Sequence, residues 1–385
     1  MDFQLTDEQI MFRDMARDFT LREIVPTARE RDREEKFFPD IMLKMGNQGL
    51  LGINIPTEYG GLGLDWLTLG VVSEQIAYYD FSVAINFLIA TTLQITPILM
   101  AGDEIQKKKF IEPITRGEMI GCFGAVEPNA GSDAIAIETK AVLDGDEWIL
   151  NGNKTWITNA NVSDFAIVLA QTDKSKGYRG ITAFIVEKGT PGFSTTKIAN
   201  KLGVRSTDTG QLFFRDCRIP KSNQLGAVGK GIQIALACIE HTRYGISCMG
   251  VGVTQACIDA SVKYCQERKQ FGKAIGSYQL VQERIAEMVV DCEASRWLSY
   301  HVGYLKDKKL PYSKETAIAK YHNIEVAAKA SRTALELHGA YGFTDDFPIE
   351  RFYRDMIGPL IFGGTAHVQK MIIGRFAVGI DAFSR

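Results

Sequence analysis

Up to about residue 118 the apolar residues recur every three or four positions, the period of amphipathic helices. Thr6 and Gln9 read as a capping box, in which each side chain satisfies a backbone group that the first turn leaves unpaired. Phe12, Ala16 and Phe19 then share one face. The run "IPTEYGGLGLD" (Ile55 to Asp65) interrupts the pattern with Pro and Gly. Ser82 to Met100 resumes as a long apolar helix, with a break or kink expected near Pro97, which has no N–H to donate. No uninterrupted apolar run of membrane-spanning length is read from the pattern.

Beyond residue 119 the texture changes. "VLDGDEWILNGNKTWITN" (Val142 to Asn159) sets two hairpin signals, Asp144-Gly145 and Asn151-Gly152, among β-favouring residues. "FAIVLAQT", "ITAFIVEK" and "GQLFFRDCRIP" are compact strand runs, the last ending at Pro220. From Gly231 the helical period returns. Val281, Ile285, Met288, Val289 and Cys292 form one apolar face and Ala317, Tyr321, Ile324 and Ala328 another, with Ser313 as N-cap and Gly339 just past the end. The pattern predicts a mainly α protein with a β middle domain: helices over 1–118, a small barrel or sandwich over 119–225, and a C-terminal helix bundle over 226–385.

Composition narrows the function classes. The chain has 385 residues, 45% hydrophobic and 23% charged, and its formal charge of 44 − 46 = −2 gives no basic footprint for nucleic acid or anionic lipid. The seven cysteines contain no C-x-x-C pair, which suits a reducing cytoplasm better than a disulfide framework. The five histidines show no H-E-x-x-H spacing, so no metal site is expected. "GAVGKG" (Gly226 to Gly231) has neither P-loop nor dinucleotide-fingerprint spacing and reads as a turn before a helix.

Four other stretches carry more chemistry. "AVEPNAGSD" (Ala125 to Asp133) is a loop with many free backbone amides, fit to hold a phosphate or a flavin edge, although an ordinary loop looks the same. "NKTWITNA" places Trp156 and Thr158 at alternate positions, and so on one side of a strand; core packing is the plainer reading for that Trp. "ERKQFGKAIGSYQLVQ" (Glu267 to Gln282) brings a cation, an aromatic and an amide near a bend. "ELHGAYGF" (Glu336 to Phe343) has glycines that admit a ligand close to the backbone, or simply cap a helix.

In this order and spacing, and with "LTDEQ", "PTEYGGLGLD", "LGVRSTDTG", "TRYG" and "ERFYRD", these stretches resemble the flavin-dependent acyl-CoA dehydrogenase family along essentially the whole chain. The resemblance implies N-terminal helices, a middle β-domain and a C-terminal four-helix bundle, with FAD between the last two and completed by a neighbour in a homotetramer. It implies an acyl-CoA substrate and an electron-transfer flavoprotein as acceptor. Carried over by position, Phe123, Ala125, Val126, Gly131 and Ser132 line the flavin and nearby CoA, with Trp156 and Thr158 against the ring. Arg268, Phe271, Gln279 and Glu336 serve the adenosine and pyrophosphate end, and Gly339, Ala340, Thr365 and His367 complete the cofactor site. Ser132, Thr242, Arg243 and Gly364 lie by the acyl-CoA. The chain departs from the family pattern at Val126, where Thr or Ser is usual, and at Glu336 and His367, where Gln is frequent.

The largest departure concerns the base. Family members remove the proton alpha to the thioester with a carboxylate while the beta hydrogen leaves as hydride. The usual Y-E-G-T aligns with Phe362-Gly363-Gly364-Thr365, so Gly363 stands at the glutamate position. The alternative position, just before Arg243, holds Thr242, and Glu240 two residues away points to another helix face. This resembles the branch that oxidises cyclohex-1-ene-1-carboxyl-CoA to the 1,5-diene by removing a gamma proton. That branch carries an Asp on the helix matching "FLIATTLQIT" (Phe87 to Thr96), where this chain has Thr91 and Thr92. Three readings follow: an alicyclic acyl-CoA dehydrogenase, an ordinary linear or branched acyl-CoA dehydrogenase with its base elsewhere, and a flavoprotein that binds acyl-CoA without oxidising it.

Overall fold

The structure, a computed structural model, describes residues 4–382. Helices α1 (Asp7–Phe19), α2 (Ala28–Glu34), α3 (Asp40–Asn47), α4 (Trp66–Tyr79), α5 (Phe81–Ile89), α6 (Thr96–Ala101) and α7 (Glu104–Thr115) come first. The capping box forms: Gln9 N–H donates to Thr6 Oγ1 at 3.2 Å and Thr6 N–H to Gln9 Oε1 at 3.0 Å. Phe12, Ala16 and Phe19 are buried, as the spacing predicts.

Between α5 and α6 the chain winds as a π-helical turn, Ala90–Ile95. The irregularity therefore precedes Pro97, which sits in the first turn of α6. A proline ring collides with the carbonyl four residues back, and a widened turn just before it relieves that crowding. Two helical stretches, Phe81–Ala101 and Gly231–Glu267, are long and apolar enough to cross a membrane, contrary to the sequence reading. Most of each is buried inside the protein, where the apolar surface is spent on packing.

Strands β1 (Gly121–Gly124), β2 (Lys140–Asp144), β3 (Glu147–Thr158), β4 (Phe165–Gln171), β5 (Ile181–Glu187), β6 (Phe193–Lys197), β7 (Thr209–Pro220) and β8 (Gln224–Leu225) form one sheet. Its order is β6-β7-β3-β2-β4-β5-β8, with β1 parallel to β4. Trp148, Leu150, Val168, Phe184, Leu212 and Phe214 belong to a core of the sheet's own, separate from the large helical core. Asp144-Gly145 turns β2 into β3 as expected, with Asp144 paired to Glu147 and Gly145 at φ +61°. Asn151-Gly152 is not a turn. It lies inside β3, where Gly152, at φ +145°, takes up a register shift against β7 and leaves no room for a Cβ beside Thr139.

The remaining helices are α8 (Gly231–Glu267), α9 (Gln279–Asp307), α10 (Ser313–His338), α11 (Ile349–Ile357) and α12 (Ala366–Val378), with a hairpin, β9 (Lys269–Gln270) and β10 (Lys273–Ala274), between α8 and α9. Helices α8, α9 and α10 pack on one another, α4 packs on α8, and α12 packs on α10. Gly339, at φ +59°, ends α10 as predicted, but Ser313 is its first residue rather than its cap; Tyr312 holds the cap position and makes no side-chain cap bond. On α9, Met288 and Cys292 are buried whereas Val289 is exposed, about a quarter-turn off that stripe. All seven cysteines are free and buried. Among the described residues no cluster of His, Cys, Asp and Glu is placed to hold a metal ion.

Candidate active site

The turn after α11 carries Gly363 and Gly364 at φ +67° and +86°, a left-handed pair that glycine adopts without strain. Three side chains from three helices hold its carbonyls. Arg243 of α8 donates through Nε to Gly363 O at 2.9 Å. Lys320 of α10 donates through Nζ to Gly364 O at 2.8 Å and to Pro359 O at 2.7 Å, and Gln369 of α12 donates to Gly364 O at 3.0 Å. The N–H groups of Gly363 and Gly364 reach no acceptor among the described residues. Thr365 caps α12, its Oγ1 accepting from Val368 N–H at 3.2 Å.

This peptide pair therefore lies in a positive setting. Lys320 is 1% exposed, and burial, reinforced by the Arg243 charge, pulls its pKa down to about 7. Burial also lowers the Arg243 pKa, opposed by the charge of Glu240. Neither cation has a carboxylate ion-pair partner among the described residues. Such an arrangement favours negative charge that develops on a bound group.

Each candidate for the missing base is accounted for. Gly363 has no side chain to offer. Thr242 Oγ1 lies 2.9 Å from both Thr92 Oγ1 and Cys238 O, and Thr92 donates to Leu88 O at 2.7 Å. Thr91 is fully buried and donates to Leu88 O at 2.9 Å, so its hydroxyl is engaged by its own helix rather than free for proton transfer. Glu240, three residues before Arg243 on α8, acts electrostatically on Arg243 and also on Lys306 and Tyr312. Lys306 is buried with its Nζ 3.7 Å from the centre of the Trp66 ring and 4.3 Å from that of Tyr312, and it hydrogen-bonds His241. Burial pulls Lys306 down to about 7.

A second group lies on the β-domain edge. Gln94, in the π-helical turn that holds Thr91 and Thr92, accepts from Gly121 N–H at 2.9 Å and so ties β1 to that turn. The Gln94 Nε2 is buried without a partner. Phe123 follows on β1, and Thr155 N–H donates to Val126 O at 3.0 Å, holding Ala125 and Val126 beside β3. The loop beyond is fixed by Glu127, which accepts from Lys154 Nζ at 2.7 Å and from the backbone of Glu138 and Thr139. Simple alternation does not place Trp156 and Thr158. A register shift between Lys154 and Ile157 puts Trp156 at φ +60° and 62% exposed, while Ile157 is buried and Thr158 is partly covered. Trp156 is thus a bulky aromatic held in left-handed strain on an open surface. Ser132 is exposed, and Gly131 has open space around it.

The third group stands at the hairpin after α8. Arg268 lies over the Tyr341 ring at 5.8 Å, and Phe271 is 94% exposed at φ +51°. Gln279 opens α9, Glu336 is ion-paired to Arg284 and Arg332, and Gly339 faces open space beside the exposed Ala340. His367 is exposed on α12. Among the described residues no hydrogen bond or ring contact joins Arg268, Phe271, Gln279 or Glu336 to Trp156 or Gly363. The strained, open Trp156, the unpartnered Gln94 amide and the open glycines together fit a flavin nucleotide.

The sequence reading missed Lys320, Gln369 and the engagement of Thr92. Lys320 carried a signal: it falls three residues after Ala317 and four before Ile324, on the apolar face of α10, where an unpartnered lysine does not belong.

The helix bundle thus carries a peptide flanked by Arg243 and Lys320, and the β-domain carries an exposed aromatic, Trp156. Family models for the N-terminal, middle and C-terminal domains of acyl-CoA dehydrogenase match residues 6–118, 122–217 and 229–378. The chain belongs to the acyl-CoA dehydrogenase family and is an enzyme of that class. It is 40% identical to a short-chain specific acyl-CoA dehydrogenase of Clostridium acetobutylicum, over 97% of this chain and 98% of that one. Butyryl-CoA dehydrogenase from Megasphaera elsdenii superposes with a TM-score of 0.96 at 37% identity, covering 98% of this chain and 100% of that one. A glutaryl-CoA dehydrogenase from Mycobacterium smegmatis in complex with FADH2 superposes with a TM-score of 0.95 at 30% identity, covering 99% and 97%.

Proposed function

We propose that the protein dehydrogenates a short, non-cyclic acyl-CoA thioester, with FAD bound against Trp156 and Thr158. The observation that carries this reading is the Gly363-Gly364 peptide, whose carbonyls are fixed by Arg243, Lys320 and Gln369 and whose N–H groups are unengaged. Bound there, FAD supplies the acceptor for the beta hydride. The chain's own part is to hold the thioester beside this peptide and to favour the negative charge that spreads onto its carbonyl as the alpha proton passes to a base other than Gly363, Thr242 or Thr91. Relatives named for short-chain, butyryl- and glutaryl-CoA support a short open-chain acyl group over the alicyclic one expected from the sequence. The adenosine and pyrophosphate end falls to Arg268, Phe271, Gln279 and Glu336, offered to a neighbouring chain of a homotetramer. An electron-transfer flavoprotein is the proposed acceptor, and seven free thiols suit a reducing cytoplasm.

One observation favours the second reading, oxidation of cyclohex-1-ene-1-carboxyl-CoA to the diene. Gly363, Thr242 and Thr91 are all without charge, and a substrate with an alpha,beta double bond is acidic at its gamma carbon instead. Anaerobic mixing of the FAD-loaded protein with butyryl-CoA, cyclohexanecarboxyl-CoA and cyclohex-1-ene-1-carboxyl-CoA separates the two. Bleaching of the flavin by butyryl-CoA is the expected result. Bleaching by the cyclohexene thioester alone would replace the first reading with the second. A spectral shift without bleaching by any of them would leave only a binding role.

A further inference from the structure

We infer that Lys320 is a positioning residue for the oxidation: from inside α10 it fixes the turn between Pro359 and Gly364 against which the thioester is held. This rests on the reading above, that the acyl thioester lies at Gly363. Lys320 is 1% exposed, and its only hydrogen-bond acceptors among the described residues are two backbone carbonyls, Pro359 O at 2.7 Å and Gly364 O at 2.8 Å.

A lysine is rarely buried so completely, and when it is, a carboxylate usually answers its charge. The burial here is tied to what Lys320 holds. Two consecutive glycines have the freest backbone a chain can carry, and Gly363 and Gly364 also sit in the left-handed region. Arg243 restrains only Gly363 O, and Gln369 restrains only Gly364 O. Lys320 alone spans the turn, joining its start at Pro359 to its end at Gly364. One lysine amine can donate to both carbonyls at once, so the single side chain that spans the turn is placed where the backbone has least stiffness of its own. Without it, Pro359 O loses the only side-chain donor it has among the described residues, and Gly364 keeps one neutral partner.

The test compares FAD-loaded wild type with Lys320→Met, which keeps the length of the chain but donates nothing, and Lys320→Arg, which keeps donors. Amide hydrogen exchange over residues 358–365 is read beside flavin bleaching at saturating butyryl-CoA and cyclohex-1-ene-1-carboxyl-CoA. Thioester affinity is read from the binding-induced spectral shift with a non-oxidisable thioether analogue. For Lys320→Met the expected result is faster exchange confined to that turn, with the rest of α10 still protected. The bleaching rate should fall roughly 10- to 100-fold, the scale expected when a reacting group is misplaced by about an ångström, while affinity changes little. Lys320→Arg should recover part of both. Unchanged exchange in the turn overturns the proposal, and so does exchange that rises throughout α10, which would make Lys320 a general stabiliser. If neither thioester bleaches the wild-type flavin, the oxidation reading fails, and the exchange measurement still decides the clamp.

Discussion

Gly363→Glu puts a carboxylate where the family pattern carries one, and the structure sets both what this costs and what it returns. At φ +67° an L-residue other than glycine is disfavoured by about 1–2 kcal/mol. A Cβ there would come within 2.9 Å of Ile246 Cδ1, the end of a buried side chain on α8. That methyl yields by moving off its rotamer, at about 0.5–1.5 kcal/mol. The variant should therefore be less stable by about 1.5–3.5 kcal/mol yet still fold, since the carbonyl held by Arg243 is left in place. In return a correctly placed base contributes about 10²- to 10⁴-fold. Stopped-flow bleaching by butyryl-CoA should accelerate by at least the lower figure over the wild type. Gly363→Ala is the control, because it carries the same backbone strain and the same contact with Ile246 but no carboxylate. It should lose similar stability and gain no rate. An FAD-loaded, folded Gly363→Glu protein that oxidises butyryl-CoA no faster than the wild type would refute the reasoning, and would mean that a carboxylate on this turn does not reach the alpha proton.

Other expectations concern the frame around the site. Thr6→Ala removes the capping-box acceptor of α1 and should lower stability by about 1 kcal/mol, read from the denaturant midpoint; no shift would mean that the box adds nothing in this context. Lys306 is held near a pKa of about 7, below its ordinary value of 10.5. The unfolded chain then binds more protons than the folded one between those values, so stability rises with pH across that window by up to about 1.4 kcal/mol per pH unit. Lys306→Met should flatten this rise in melting experiments, and an undiminished rise would exclude a buried, titrating Lys306. Phe271→Ser changes a side chain that one chain leaves 94% exposed, so the melting of the isolated chain should not suffer. Flavin content and oligomer size by light scattering should both fall, and their survival would remove Phe271 from any contact with a neighbour.

Much of the frame was legible because it follows from periodicity. The capping box at Thr6, the Asp144-Gly145 hairpin and the return of helix at Gly231 are local signals, and each is found where it was read. The failures arise where a longer-range constraint overrides a local one. Asn151-Gly152 has the chemistry of a turn, but pairing with β7 on one side makes it a bulge instead. Ser313 could cap a helix, yet α10 already includes it. Trp156 and Thr158 look like alternating neighbours, and a register shift that no spacing reveals turns Trp156 outward. Within the site, the empty base positions could be read directly, because an absent carboxylate is visible in any alignment of motifs. The donors that hold Gly363 and Gly364 could not, since Lys320 and Gln369 approach them only once α10 and α12 are folded against the turn.

The apolar helix from Phe81 to Ala101 bears on how the chain is made. Its Leu88 packs where Gly245 of α8 has only a hydrogen to present, and its Thr92 meets Thr242 of the same helix. Yet α8 starts only at Gly231, after the whole β-domain has been synthesised. At about 5–20 residues per second, the 129 residues between Ala101 and Gly231 (230 − 101) take roughly 6–26 s to translate. For that time a stretch long and apolar enough to be mistaken for a membrane segment has left the ribosome without the helix that covers it. Slowing translation between these two helices should therefore raise the demand for chaperones, although nothing in the finished protein would have changed.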